Sequence, residues 1–133
     1  MANYYAAARS NHFRVNNVEG LKEILPGGVE LHEASQHSDQ VCLIVTCPDQ
    51  AGWPFWDHDS DEDDAEIDWT ALISPFLLDD EVVIMMEAGA EKLRYISGFA
   101  FAFNNKGEEI TIRLSDIYER AKDLGTNITT AEY

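Results

Sequence analysis

The sequence predicts a single α+β domain, in which a mainly antiparallel sheet of about five to six strands packs against about three short helices. Segments with alternating apolar and polar residues, typical of half-buried strands, are separated by short helical patterns. The run Asn-Asn-Lys-Gly at residues 104–107 is a strong signal for a tight β-hairpin. The length of 133 residues suits one domain, and 45% hydrophobic residues can form a packed core.

In the N-terminal half we expect strands over residues 10–15, 29–34 and 41–47. The last of these is almost continuously apolar, so burial on both faces is expected. Asn16 or Asn17 caps a short helix over residues 18–25, which Pro26 and two glycines end. Residues 35–40 are polar enough for a turn, and residues 49–66 are expected to form one long loop.

In the C-terminal half, a helix is predicted over residues 67–78, with a kink or break at Pro75. Strands follow over residues 81–87, 92–104 and 108–114, with a turn at residues 88–91. Gly98 is expected to mark a bulge or a bend. Ser115 caps a last helix over residues 116–124, and Gly125 ends it. The domain therefore spans residues 1–125, and residues 126–133 are expected to be a frayed tail.

Charge is distributed very unevenly along the chain. The formal net charge is −16, from 25 acidic and 9 basic residues. Between Glu23 and Glu91 there are 18 acidic residues and no Lys or Arg. Carboxylates this close repel one another unless water, a cation or a basic partner compensates them. We call residues 57–68 the acidic segment, because eight of its twelve residues are carboxylates: Asp57, Asp59, Asp61, Glu62, Asp63, Asp64, Glu66 and Asp68.

This charge selects the class of partner. Phosphate binding depends on Lys and Arg, so direct binding to DNA, RNA or an anionic membrane is disfavoured. DNA presents one phosphate about every 1.7 Å of helix axis, and a dense run of carboxylates without cations imitates that pattern. We therefore predict a non-enzymatic nucleic-acid mimic that binds a basic nucleic-acid-binding protein or ribonucleoprotein. Asp79, Asp80 and Glu81, beyond the next predicted helix, would extend the acidic surface.

An aromatic cluster, Gly52-Trp53-Pro54-Phe55-Trp56, directly precedes the acidic segment. One Trp is expected to be buried beneath the loop. Either Trp53 or Trp56 is expected to anchor a partner, since an exposed Trp inside a polar rim is a common binding hot spot. The cluster supports an alternative function, a module that binds one specific basic protein through an aromatic-centred interface.

A third hypothesis is a divalent-cation-binding protein. Asp57, Asp59, Asp61 and Asp63 match the first ligand positions of an EF-hand loop. However, Glu62 stands where the sharp turn needs Gly, and the bidentate Glu at the end of the loop is missing. A solvated segment that only aids solubility is the plain alternative. We therefore assign no metal site and no cofactor.

Other functions and locations are disfavoured by what the sequence lacks. It contains no G-x-S-x-G, H-E-x-x-H or phosphate-binding glycine loop, so we expect no enzyme. Cys42 and Cys47 fall on opposite faces of one predicted strand, so a mutual disulfide is not expected and a reducing cytoplasm fits. No signal peptide and no membrane span are recognisable. Homodimerisation through the sheet edge or the C-terminal hairpin is compatible with each function.

Two stretches of the sequence are distinctive: residues 3–15 (NYYAAARSNHFRV) and residues 87–98 (EAGAEKLRYISG). They resemble a family of small acidic proteins encoded on bacterial plasmids, integrative elements and phages. Gly52-Trp53-Pro54 and the helix from Ser115 resemble the family as well, so the similarity covers most of the chain except the acidic segment. The resemblance implies a mobile-element setting, in which inhibitors of restriction or CRISPR systems occur. It thus implies that the basic partner is a nucleic-acid-binding protein or ribonucleoprotein of the host, and that the alternative module is an immunity or plasmid-maintenance protein. It transfers no catalytic or binding residue.

Overall fold

A computed structural model describes residues 4–34, 37–46, 52–57, 65–91 and 94–131. It confirms the α+β class: in these residues a seven-stranded antiparallel sheet carries three short α-helices. The sheet contains β1 (Tyr4–Ser10), β2 (Phe13–Arg14), β3 (Val29–Ala34), β4 (His37–Val45), β7 (Val83–Glu91), β8 (Tyr95–Phe103) and β9 (Glu109–Arg113). A separate hairpin is formed by β5 (Trp56–Asp57) and β6 (Ala65–Glu66), and the helices are α1 (Val18–Ile24), α2 (Trp69–Ile73) and α3 (Ile117–Arg120).

The strand order across the sheet is β3, β4, then β1 and β2 together, followed by β7, β8 and β9. β1 and β2 pair with successive parts of β4. β1 also pairs with β7 along its whole length, from Tyr4 opposite Glu91 to Ser10 opposite Met85. The two stretches that carry the family resemblance therefore belong to neighbouring strands in the middle of the sheet.

Two of the three α-helices, α1 and α2, begin at side-chain caps. The Asn17 side chain accepts the Gly20 backbone N–H at 3.0 Å at the start of α1, and Asp68 accepts the Ala71 N–H at 3.1 Å at the start of α2. The helix predicted over residues 67–78 is shorter, because Pro75 opens a separate 3₁₀ turn, Ser74–Phe76. Within the described ranges, no helix has the length and apolar character needed to cross a membrane.

The core lies on one side of the sheet, which we call the inner face. Side chains from α1, α2 and residues 52–54 cover it, and they pack against alternate residues of the strands. The largest fully buried side chains are Phe13, Leu21, Val41, Leu43, Ile73, Val83, Met85 and Phe103. The other side, which we call the outer face, is exposed along β1, β7, β8 and β9.

Three strands extend beyond their predicted ends. β1 begins at Tyr4, although the sequence pattern predicts no strand over residues 4–9, and β4 begins at His37 instead of residue 41. β7 continues to Glu91 through the predicted turn at residues 88–91. Gly89 lets the backbone of β1 approach, since a Cβ there would lie 2.8 Å from the Ala6 Cα. Pairing with neighbouring strands thus overrides the weak strand propensity of Ala and Gly.

Gly98 and the C-terminal helix also differ from prediction. Gly98 lies opposite Ala88 in a continuous register, so the bulge, one of the two predicted distortions, does not occur. Residues 114–123 form α3 between two 3₁₀ turns, Leu114–Asp116 and Ala121–Asp123, and not one regular helix. Ser115 does not cap this helical segment as predicted, since neither the first 3₁₀ turn nor α3 has a side-chain cap hydrogen bond. Instead, the Asp116 carboxylate accepts the Arg113 backbone N–H at 2.8 Å. The Ala131 N–H donates to the Tyr118 hydroxyl at 2.7 Å within the tail.

Candidate partner-binding site

A buried carboxylate fixes the chain just before the acidic segment. Glu87 is 7% exposed; its Oε1 accepts the Trp53 backbone N–H at 2.7 Å, and its Oε2 accepts the Tyr4 hydroxyl at 3.1 Å. Burial raises the pKa of Tyr4 above its ordinary value of 10.0, and the nearby Glu87 adds to the rise, so the hydroxyl stays a donor. Gly52 has a φ of +90°, and a Cβ there would overlap the Glu87 carboxylate.

Trp53, one of the two alternative anchors, is a core residue. Its side chain is 3% exposed, and its Nε1 donates to the Met86 carbonyl at 3.0 Å. It meets Trp69 edge to face with ring centroids 5.5 Å apart, and the Trp69 Nε1 donates to the Pro54 carbonyl at 2.9 Å. Trp53 therefore offers a partner no accessible ring. The side chain of Trp56 lies outside the described part of the molecule, so its anchor role stays a prediction.

Both ends of the acidic segment lie in an antiparallel pair of short segments, residues 55–57 and 65–67, which we call the stem. In the β5–β6 hairpin, Trp56 pairs with Glu66 and Asp57 pairs with Ala65. The stem continues toward the core, where the Ile67 N–H donates to the Phe55 carbonyl at 2.7 Å. The stem residues thus place the start and the end of the acidic segment side by side. Five of its predicted site residues lie outside the described residues: Asp59, Asp61, Glu62, Asp63 and Asp64.

The carboxylates at the C-terminal end of the segment have no cationic partner among the described residues. Glu66 and Asp68 are exposed, and no Lys, Arg or His of the described residues lies within ion-pair distance of either. Lysine ion pairs lie elsewhere: Lys22 is 3.6 Å from Glu19 and 3.3 Å from Glu33, on the surface near α1. This end of a strongly acidic stretch is therefore presented to solvent without compensation from the described part of the chain.

The second acidic group is part of a structural turn. Glu81 accepts the Arg14 backbone N–H at 2.8 Å, and Asp79 accepts from Asn105 Nδ2 at 2.7 Å. Asp80 has a φ of 66°, in the left-handed region that turns use. Asp79 and Glu81 are thus held by the β8–β9 turn and by β2, and Asp79 and Asp80 remain exposed. Their contribution to the acidic surface stays a prediction.

A groove of about 960 Å³ opens beside the stem, over the inner face of β8 and β9. Phe55, Phe99 and Phe101 form its aromatic floor, with the Phe55 ring centroid 6.2 Å from that of Phe99 and 6.5 Å from that of Phe101. Phe55 is 39% exposed, so it is the accessible aromatic residue among those described at residues 52–55. The alternation Phe99-x-Phe101-x-Phe103 indicates this shared face, but sequence analysis did not connect it to Phe55.

The walls of the groove are mostly acidic on one side and apolar on the other. The stem and the start of α2 contribute Glu66 and Asp68, and the C-terminal residues contribute Leu114, Ile117 and Tyr118. Along β9, Glu109 and Arg113 also line it. An aromatic floor with an acidic rim suits a segment that carries both apolar and basic side chains.

Metal binding finds no support within the described ranges, where no group of three or more His, Cys, Asp or Glu side chains could hold an ion. Asp59, Asp61 and Asp63 of the EF-hand-like spacing fall outside those ranges. Cys42 is a buried free thiol on β4, as the strand pattern predicts, and Cys47 is not among the described residues.

No protein-family model matches the chain, and neither a curated protein nor a solved structure matches it.

Glu87→Ala is expected to lower the free energy of unfolding by about 3 kcal/mol, because it leaves the Trp53 N–H and the Tyr4 hydroxyl without their acceptor. Glu87→Gln keeps a carbonyl oxygen for the Trp53 N–H, so we expect a loss of about 1 kcal/mol. Urea denaturation followed by tryptophan fluorescence measures both. Equal losses in the two variants would contradict the hydrogen-bonding role of Glu87.

Proposed function

We propose that this protein is a non-enzymatic inhibitor that imitates a nucleic-acid backbone and occupies the basic groove of a nucleic-acid-binding protein. The observation that carries the proposal is the acidic segment, with eight carboxylates in twelve residues. It begins and ends in a stem that is anchored on the core, and Glu66 and Asp68 have no cation of the described residues within ion-pair distance.

Electrostatics supplies the driving force. In the free protein, crowded carboxylates repel one another and raise the free energy. A groove lined by Lys and Arg relieves this repulsion and also steers the encounter. Because the stem positions both ends of the segment beforehand, binding costs less conformational entropy than it would for a free acidic peptide. The partner's groove would then release its nucleic acid, because the acidic segment and the nucleic acid bind the same Lys and Arg side chains.

The proposed target is a host defence complex, of the restriction or CRISPR type, in the cytoplasm. This part of the proposal comes from the resemblance to acidic proteins of mobile elements. The charge argument by itself requires only a basic nucleic-acid-binding surface.

The groove beside the stem supports a second candidate, a protein that binds one specific basic partner through an aromatic-centred interface. Phe55→Ala distinguishes the two. Under mimicry we expect binding to weaken less than about threefold, because charge carries most of the affinity. A loss of about 30-fold or more, near 2 kcal/mol, would identify Phe55 as a hot spot and contradict mimicry as the main mode. Isothermal titration calorimetry with the captured partner measures the difference.

Affinity capture tests the proposal first. The wild type is compared with the neutralised variant, in which Asp becomes Asn and Glu becomes Gln at all eight carboxylates of the acidic segment. Both proteins are incubated with host lysate at low and at moderate salt, and bound proteins are then eluted with duplex DNA or RNA. We expect a nucleic-acid-binding complex that only the wild type retains and that nucleic acid releases. A partner retained equally by both forms would overturn the proposal.

A further inference from the structure

The groove beside the stem surrounds an entering molecule on three sides. Its floor is the inner face of β8 and β9, and its two walls are the stem with the start of α2 and the residues after β9. The second wall is fastened, because the Tyr118 hydroxyl accepts the Ala131 backbone N–H at 2.7 Å and both residues line the groove. The volume of about 960 Å³ lies in the range of about 300–1,000 Å³ that is typical of small-molecule sites.

The floor of the groove offers the faces of aromatic rings. Phe99 and Phe101 are nearly parallel, with an interplanar angle of 10° and ring centroids 6.3 Å apart. Phe55 is tilted by 42° and 46° from these two rings, and it is exposed. Aromatic rings attract apolar groups and also cations, because the ring face carries partial negative charge. The floor therefore suits an apolar or aromatic body, and it favours a positive charge on that body over a negative one.

The charged side chains that line the groove are mainly acidic. Among the described residues they are three carboxylates, Glu66, Asp68 and Glu109, against one cation, Arg113. Glu109 and Arg113 lie at opposite ends of β9, about 13 Å apart along the strand at about 3.3 Å per residue, and no ion pair joins them. A carboxylate beside apolar surface and without a cationic partner favours a cationic ligand, because the cation compensates its charge.

A small molecule fits the groove better than an extended peptide does. A peptide that binds at an edge strand continues the sheet through backbone hydrogen bonds. At the end of β9, the Arg113 backbone N–H is already bound by the Asp116 carboxylate at 2.8 Å. The chain then continues as the 3₁₀ turn Leu114–Asp116, whose first two residues line the groove. This arrangement shortens the edge that is open to strand addition, whereas the floor between the walls stays accessible.

We propose that the groove binds a small lipophilic cation, that is, a molecule with one positive charge on an apolar or aromatic body. The aromatic floor contacts the body, and Glu66 and Asp68 on the rim compensate the charge. The inference goes beyond the proposed function and does not depend on it, because it requires no nucleic-acid-binding partner.

Two probes of nearly equal size and shape test the charge preference. Tetraphenylphosphonium is the cation and tetraphenylborate is the matched anion, so the difference between them reports charge and not apolar burial. Isothermal titration calorimetry at about 0.15 M NaCl, where exposed charges are screened beyond about 8 Å, measures both. We expect one tetraphenylphosphonium per chain with a dissociation constant below about 1 mM, and tetraphenylborate binding at least about tenfold weaker. Equal affinities, or no saturable binding of the cation, would overturn the proposal.

Matched variants separate the groove from the overall acidity of the chain. Glu66→Gln with Asp68→Asn removes two carboxylates that line the groove, and Glu119→Gln with Asp123→Asn removes two exposed carboxylates that do not. We expect the first pair to weaken tetraphenylphosphonium binding about tenfold and the second pair less than about twofold, with unchanged circular dichroism spectra. Equal weakening by both pairs would contradict the proposal, because it would indicate diffuse attraction to an acidic protein.

Substitutions on the floor and on β9 should act in opposite directions. Phe55→Leu keeps an apolar side chain but removes a ring face, so cation binding should weaken about fivefold. Arg113→Gln removes a positive charge from the groove, so cation binding should strengthen about threefold. If neither variant changes the affinity, the probe binds elsewhere and the proposal fails.

Nuclear Overhauser effects locate the bound probe directly. We expect them between the phenyl protons of tetraphenylphosphonium and the methyl groups of Ile67, Leu114 and Ile117, which line the groove. Effects confined to Ile110 and Ile112, which do not line it, would overturn the proposal. These experiments use no partner protein, so their failure is distinguishable from failure of the proposed function, which affinity capture tests without any probe.

Discussion

The neutralised variant is expected to bind its nucleic-acid-binding partner about 100-fold more weakly than the wild type, or worse. Exposed ion pairs contribute about 0.2–1 kcal/mol each, so eight together can supply the roughly 2.7 kcal/mol that a 100-fold change requires. The fold should survive, because Asp68→Asn leaves a side-chain oxygen to cap α2 and Glu66 is exposed. The melting temperature should rise, since carboxylate repulsion is removed. Surface plasmon resonance and thermal denaturation measure the two effects.

A charge-matched control separates the acidic segment from net charge. The control variant carries the same number of amide substitutions outside the segment, at Glu19, Glu23, Glu30, Glu33, Glu108, Glu119, Asp123 and Glu132. These changes remove exposed ion pairs of Lys22 and Lys122, each of which contributes little to the free energy of unfolding. We expect the control to bind within about fivefold of the wild type, because long-range charge is screened beyond about 10 Å at 0.1 M salt. Equal losses in both variants would mean that the segment has no special role.

Gly52→Ala is expected to lower the free energy of unfolding by about 3 kcal/mol or more. The added Cβ would overlap the Glu87 carboxylate, and the φ of +90° is itself unfavourable for Ala. The clash displaces the acceptor of the Trp53 N–H, so the entrance to the stem should loosen together with the core. Urea denaturation measures the loss, and tryptophan fluorescence reports the environment of Trp53.

Gly125→Ala is the matched control for this substitution. A Cβ at Gly125 meets no atom within 4 Å, and its φ is not in the left-handed range. Its free energy of unfolding should stay within about 0.5 kcal/mol of the wild type. If Gly52→Ala is as stable as Gly125→Ala, the hydrogen bond between the Trp53 N–H and the Glu87 carboxylate is not what holds the stem in place.

The fold was predictable where local signals agree with long-range pairing. The Asn104–Gly107 hairpin signal and the Asn17 cap act over a few residues, so the sequence alone places β8, β9 and α1 closely. β1 was missed because Ala6, Ala7 and Ala8 have little intrinsic strand preference. Its conformation depends on β4 and β7, which are distant in sequence, and sequence periodicity does not report such pairing.

The site was predictable in its charge but not in its architecture. Composition identified the acidic segment, because eight carboxylates in twelve residues need no structural context. It did not show which aromatic residue is buried, because Trp53 is fixed by Glu87, a partner 34 residues away. The groove was missed for the same reason, since Phe55 joins Phe99 and Phe101 only after the sheet has formed.

A competition experiment tests the central claim most directly. The partner captured by the wild type is saturated with labelled nucleic acid of its own preferred type, and the wild type is then titrated in while fluorescence anisotropy reports release. Mimicry predicts complete displacement of the nucleic acid by the wild type and little displacement by the neutralised variant. A stable complex that contains the partner, the nucleic acid and this protein together would contradict it.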